Sequence, residues 1–259
     1  MSHKPLIVVS NDDGYQATGL LVLADALEEV AEVVVVAPER ERSAVSHSIS
    51  LHKPLRLEQW GERRWWSSGT PTDCVYLAVV HLLDRPPDLV VSGINRGPNL
   101  AEDVLYSGTV AAAMEACIMD LPALAVSLAL DESGSGKIDP DPAPAARLAR
   151  QVVTDALERG IPHRTLLNLN VPSGYRDGDG WEVTRMGRRN YLREVRVNED
   201  PRGRRYYWIG GPRIGWHDVP GSDCNAIRDG RASLTPIHLD LTHHHLMDEL
   251  TAWPSSDPS

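Results

Sequence analysis

The chain has 259 residues, with 26 Lys and Arg against 36 Asp and Glu and a formal net charge of −10 at pH 7. That length can bury a large core, as one large domain or one domain with an extension, and the acidic balance argues against a surface built to grip a nucleic-acid polymer. Cys74, Cys117 and Cys224 are widely spaced, with no C-x-x-C pair, so neither a disulfide framework nor a zinc cluster is expected. Buried thiols in a reducing cytosol fit better. Met1-Ser2-His3-Lys4-Pro5 leads into only a few apolar residues, too short for a signal peptide or a membrane span. The expectation is a cytoplasmic protein with no membrane contact.

Residues 6–10 are short, β-branched and bounded by turn residues, which predicts a buried parallel strand. It runs into Asn11-Asp12-Asp13-Gly14. Ligands of open α/β sheets bind outside the carboxyl ends of such strands. Adjacent carboxylates there repel each other unless a cation joins them, and hard oxygen donors suit Mg²⁺, Mn²⁺ or Ca²⁺. A plain polar turn has the same composition.

Residues 20–30 carry Leu20, Leu23, Ala24 and Leu27 at helical spacing. Residues 33–37 form a second strand, stopped by Pro38. Thr70-Pro71-Thr72-Asp73 reads as a helix start, with a Thr cap, Pro in the first position and an acid in the first turn. That helix is expected to reach about Leu83. Residues 89–91 form a third core strand, residues 110–119 an Ala-rich helix, and residues 124–127 a further strand. Residues 131–144 read as a surface loop. A helix over 145–158 and a strand over 166–171 follow. The alternation predicts a parallel, doubly wound sheet.

From about Trp181 the texture changes. Arg, Tyr and Trp alternate around a turn at Pro201-Arg202-Gly203, and residues 206–209 read as one arm of a hairpin. Residues 232–236 form a short strand before a last helix. The tail after Trp253 is expected to be disordered.

Three more polar segments follow strands or open helices: Ala37-Pro38 to Ser43, Ser92-Gly93-Ile94-Asn95-Arg96-Gly97-Pro98-Asn99, and Tyr106-Ser107-Gly108-Thr109. In a parallel sheet all of them gather on the edge that holds Asp12 and Asp13. Two carboxylates, a hydroxyl and an amide carbonyl make a mixed oxygen site. The amides of Gly108, Thr109 and Val110 would point out of a helix amino terminus, where free N–H groups and the dipole bind phosphate. A bulkier residue at Gly108 is expected to crowd that approach. Each piece also has a plain structural use: Ser43, Ser107 and Thr109 as caps or loop residues, Asn95 and Asn99 as partners of loop backbone. A metal beside a phosphate cradle is the layout of metal-assisted phosphoester hydrolysis, in which activated water attacks phosphorus.

Rival motifs are missing. No G-x-S-x-G elbow occurs. Ser133-Gly134-Ser135-Gly136-Lys137 lacks the leading Gly and trailing Ser or Thr of a phosphate-binding loop. His243-His244-His245 reads as surface, because consecutive residues do not share a face. His47, near Ser43 in sequence, reads as a loop histidine without a role or as a proton shuttle. A receiver-like signalling domain would need an Asp at the end of the third core strand. A nucleotide-binding module without catalysis remains the other alternative.

These motifs, with Gly69-Thr70-Pro71-Thr72-Asp73-Cys74, Asp200-Pro201-Arg202-Gly203, Tyr207-Trp208 and Ser233-Leu234-Thr235-Pro236, resemble the SurE family of survival-protein nucleotidases in order and approximate spacing. The resemblance runs to about Thr242. It implies a metal-dependent phosphatase acting on nucleoside monophosphates at the 5′ and often the 3′ position, and in some relatives on short polyphosphate. It implies one divalent ion per subunit, Mg²⁺ or Mn²⁺, on Asp12, Asp13, Ser43 and Asn95, with Asp12 and Asp13 also catalytic. Phosphate-side residues would be Asn99, Ser107, Gly108 and Thr109. It implies a Rossmann-like α/β core over 1–180, a hairpin arm with a return strand and helix over 181–242, and a terminal helix and tail over 243–259. The extension would be exchanged between subunits of a homodimer or homotetramer. One departure is Gly230-Arg231-Ala232-Ser233, where relatives carry Gly-Tyr-Val-Ser; it bears on local packing or a subunit contact.

Overall fold

The computed structural model describes residues 4–130, 140–190, 195–209 and 215–253. The expected loop over 131–139, with its Ser133 to Lys137 motif, lies outside them. So do residues 191–194, at the start of the expected arm, and the tail over 254–259.

The first half is β1 (Leu6–Ser10), α1 (Thr18–Glu28), β2 (Glu32–Pro38), β3 (Leu57–Gly61), β4 (Arg64–Ser67), α2 (Pro71–Leu77), β5 (Leu89–Arg96), α3 (Gly108–Ile118) and β6 (Ala123–Ala129). The second half is α4 (Ala143–Arg159), β7 (Thr165–Pro172), β8 (Trp181–Val183), β9 (Val195–Glu199), β10 (Arg205–Ile209), α5 (Asp223–Arg228), β11 (Ala232–His238) and α6 (His244–Thr251). Nine strands form one sheet in the order β3-β4-β2-β1-β5-β6-β7-β11-β8. Pairing is parallel except at β3/β4 and β7/β11. β9 and β10 form a separate antiparallel hairpin.

Both faces of the sheet are covered, which is why its central strands read as unbroken apolar runs. Ile7 and Val9 face one apolar cluster with Leu20, Leu23 and Leu27 of α1 and Leu148 and Val152 of α4. Leu6 and Val8 face the other, with Val75 of α2 and Val110, Ala113 and Ala116 of α3. The four residues assigned to the inner face of α1 are its buried set. Each of its fully buried leucines contributes roughly 1.5–3 kcal/mol.

The helix start at Thr70 is a complete capping box: the Thr70 hydroxyl accepts from Asp73 N–H and the Asp73 carboxylate from Thr70 N–H. Beyond Leu77 it loosens into a π-helical turn over Ala78–Leu82. The third core strand is longer than expected, because Ser92 to Asn95 belong to β5. Its register with β6 shifts between Ser92 and Asn95. Gly93 sits there at φ +142°, and a Cβ would lie 2.3 Å from the Val126 carbonyl oxygen. Only glycine fits so close a strand, so the polar motif bulges without leaving the sheet. Three elements had no counterpart in the sequence reading: the β3–β4 edge hairpin, β8 and α5. Among the described residues no helix is long and apolar enough to cross a membrane.

Candidate metal and phosphate site

The sheet order reverses between β1 and β5, whose neighbours are β2 on one side and β6 on the other. Such a switch point opens a crevice at the carboxyl ends of the strands. There a cleft of about 380 Å³ is lined by Asp12, Asp13, Glu41, Ser43, Asn95 and Asn99 among others. Ser107, Asp103, Tyr106 and Arg96 complete its walls.

Asp12 is 4 % exposed. Its carboxylate accepts from the Thr109 hydroxyl, and its carbonyl oxygen from Arg42 N–H at 2.7 Å. Burial raises its pKa from 3.8 to about 6; the Asp13 charge adds to the rise, and the Thr109 hydroxyl opposes it. Asp13 lies nearer the surface and accepts from Arg96 N–H at 3.2 Å. Its pKa is also raised, by burial first and by Glu41 second. Paired, partly to fully buried carboxylates at the crevice wall, both resisting ionisation, form a negative site that a cation would relieve.

Ser43 is exposed and donates to the Glu41 carboxylate at 2.7 Å. The Asn95 amide nitrogen donates to the Gly97 carbonyl at 2.8 Å, a bond that does not involve its side-chain carbonyl oxygen. All four expected ligands line this one cleft. Among the described residues no group of three or more His, Cys, Asp or Glu is arranged for a metal; the candidate set is two carboxylates, a hydroxyl and an amide oxygen. That oxygen-only donor set fits a hard divalent ion.

The helix end beside it is more committed than its sequence suggests. Ser107 caps α3, accepting from Val110 N–H at 3.1 Å. The Thr109 hydroxyl and main-chain N–H both favour the Asp12 carboxylate. Of the three amides expected to face phosphate, the Gly108 N–H is left without an acceptor among the described residues. A Cβ on Gly108 would lie 2.8 Å from the Asp12 Cβ. Crowding at Gly108 therefore reaches the Asp12 carboxylate directly, rather than the phosphate approach alone.

Asn99 is held from below by residues the sequence reading did not single out. Its N–H donates to the Asn170 side-chain oxygen at 2.8 Å, and its side-chain nitrogen to the Ser127 hydroxyl at 2.8 Å. The Asn168 and Asn170 amides donate to its carbonyl at 2.9 and 3.0 Å. Polar Asn alternating with Leu inside an apolar strand was the available signal. The second half reaches the same loop. The buried Asp223 carboxylate accepts from Ala101 N–H at 2.9 Å and from Gly187 N–H at 2.7 Å, and buried Arg189 pairs with Asp103.

The His47 ring lies 2.7 Å from the Glu115 carboxylate of α3. His243 caps α6 by accepting from Leu246 N–H, and His244 pairs with Asp240 at 2.7 Å. All three consecutive histidines are exposed.

The sequence model of the family described as Survival protein SurE matches residues 7–193. The chain belongs to the SurE family. It is 54% identical over 256 residues to a protein of Myxococcus xanthus named 5′-nucleotidase SurE, covering 98% of this chain and 95% of that one. A protein of the same name from Alkalilimnicola ehrlichii is 50% identical, covering 96% and 95%. The crystal structure of a SurE protein from Aquifex aeolicus superposes with a TM-score of 0.84 at 40% identity, covering 95% of this chain and 98% of that one. SurE family membership accounts for the fold. At the departure from the family pattern, Arg231 pairs with Glu182 and Ala232 is buried at the start of β11.

Proposed function

We propose that this SurE-family chain is a metal-dependent 5′-nucleotidase, a phosphoric monoester hydrolase that releases phosphate from nucleoside 5′-monophosphates, from 3′-monophosphates and from short polyphosphate. The observation that carries this reading is the pair Asp12 and Asp13, both resisting ionisation at the switch-point crevice beside the start of α3. Relatives about half identical over nearly the whole chain bear the name 5′-nucleotidase SurE.

In this reading Asp12, Asp13, Ser43 and Asn95 hold one Mg²⁺ or Mn²⁺. Once bound, the ion supplies Lewis acidity toward the phosphoryl oxygens and makes water more acidic. Asp12 acts as a fixed ligand, its geometry set by Thr109 and Arg42. Asp13, nearer the surface than Asp12, takes the proton of the attacking water. The phosphate rests on the Gly108 N–H, the Ser107 hydroxyl and Asn99, with Thr109 acting through Asp12. The oxygen of water bonds to phosphorus as the bond to the ribose oxygen breaks, and the leaving ribose oxygen takes up a proton, so that Asp13 returns to its carboxylate form once it releases the one it took. Pre-set donors of this kind stabilise charge as it develops.

The division into a core over 1–180, an arm over 181–242 and a terminal helix and tail over 243–259 belongs to the same reading. So do the cytoplasmic location and a homodimer or homotetramer built on the exchanged extension. The test is phosphate release from nucleoside monophosphates, with Mg²⁺ or Mn²⁺ and with a chelator. Tight nucleotide binding with no phosphate released under any metal would replace the enzyme with a binding module.

A further inference from the structure

A second cleft, of about 360 Å³, opens beside the first. Ala17 and Thr18 at the start of α1 form one wall, Pro140 and Pro142 before α4 the other, with Ile94 of β5 and Leu128 of β6 between them. Its lining is mostly apolar. Asp13, Asn95 and Arg96 line both clefts, so the metal-site residues form the ridge between them.

The two clefts differ as the two ends of a mononucleotide differ. The phosphate cleft carries Asp12, Asp13, Glu41 and Asp103, a wall suited to a cation and the anion it holds. A nucleobase is flat, uncharged and apolar on its faces, and gains little against carboxylates. It gains most where carbon surface leaves water. The second cleft offers that surface and also falls in the range of roughly 300–1,000 Å³ typical of small-ligand pockets. Thr18 and Asp141 supply a few polar groups at its edge. A substrate whose phosphate lies by Ser107 and whose base lies by Leu128 would cross the ridge at Asp13 and Asn95.

We propose that this apolar cleft between α1 and α4 seats the nucleoside part of the substrate and sets the preference for nucleotides over other phosphomonoesters. The assignment rests on the nucleotidase reading. The competing seat for the base is Tyr106, 59 % exposed at the rim of the phosphate cleft.

The test uses the full chain with Mn²⁺ and compares kcat/KM for AMP with that for p-nitrophenyl phosphate, which has neither ribose nor purine. Thr18 is exposed in the first turn of α1, so Thr18→Trp fills the cleft without entering the core; Pro140→Trp fills it from the opposite wall. In both, the ratio of the two efficiencies should fall at least about tenfold, through KM for AMP, as expected when a pocket loses shape fit. Adenosine should also inhibit wild-type hydrolysis of p-nitrophenyl phosphate competitively, a readout independent of the variants' folding. An unchanged ratio in the folded variants, no inhibition by millimolar adenosine, or a tenfold ratio loss in Tyr106→Ala instead would each overturn the nucleoside cleft. A wild-type chain that releases phosphate from p-nitrophenyl phosphate and not from any nucleotide would overturn the nucleotidase reading itself, and the cleft with it.

Discussion

Burial raises the Asp12 carboxyl to about 6, and the sign of that shift fixes how metal and pH act together. The metal-free folded chain keeps the proton until about pH 6, whereas the unfolded chain releases it near 3.8. The ionised form therefore costs stability increasingly across that interval and fully above it. A cation binds the carboxylate and offsets the cost. The rise in Tm given by Mn²⁺ should be large at pH 7.5 and fade as the pH drops through 6; an equal rise at pH 5 would remove Asp12 from the ligand set. Asp12→Asn should leave the metal-free chain as stable as wild type or more so at pH 7.5. Its turnover should fall at least about 100-fold, because losing even an outer partner of a metal costs 10–100-fold. Near wild-type kinetics in either Asp12→Asn or Asp13→Asn would refute the assignment. These residues were legible in sequence because a short acidic motif ended an apolar strand. The Thr109 hydroxyl bond to Asp12 was not, because the two residues are 97 positions apart.

At the scale of elements, most strands and helices followed from apolar periodicity, and the exceptions have physical causes. β5 reads as strand then loop, because Gly93, Gly97 and Pro98 are turn residues; close approach to Val126 makes Gly93 a bulge instead. The β3–β4 hairpin lies at the sheet edge, its residues partly buried or exposed apart from Ser67, so it lacks the apolar run of a core strand. The Asn168 and Asn170 clamp on Asn99 joins β7 to a loop more than sixty residues away, which local pattern does not reveal. Gly108→Val should lower Mn²⁺ affinity and activity together, because its side chain would strike Asp12. Activity lost with metal affinity intact, in calorimetry, would return Gly108 to the phosphate side alone. Thr70→Ala removes the α2 cap and the bond from the Thr70 hydroxyl to the Ser48 carbonyl. It should cost about 1 kcal/mol in chemical denaturation; no loss would mean that the capping box is not made in solution.

For the whole molecule, the hairpin and the last helix are the unfinished surface. Tyr207, Trp208 and Ile209 are 62 %, 63 % and 92 % exposed, and Met247 and Trp253 are also exposed. A lone two-stranded hairpin is marginal in water, and clustered aromatics are typical interface anchors. Light scattering should give the mass of a dimer or tetramer, and deleting residues 195–209 should lower it while the core stays folded. A monomeric wild-type chain at micromolar concentration would contradict the exchanged-arm reading. In the proposed mechanism, Asp12 and Asp13 hold a divalent ion for phosphoester hydrolysis. The direct measurement is inorganic phosphate released from AMP by the purified chain with Mn²⁺, with chelator, and in Asp12→Asn. Release that depends on the metal, stops with chelator and is lost in the variant is the expected result; release that persists with chelator, or in Asp12→Asn at the wild-type rate, would contradict it.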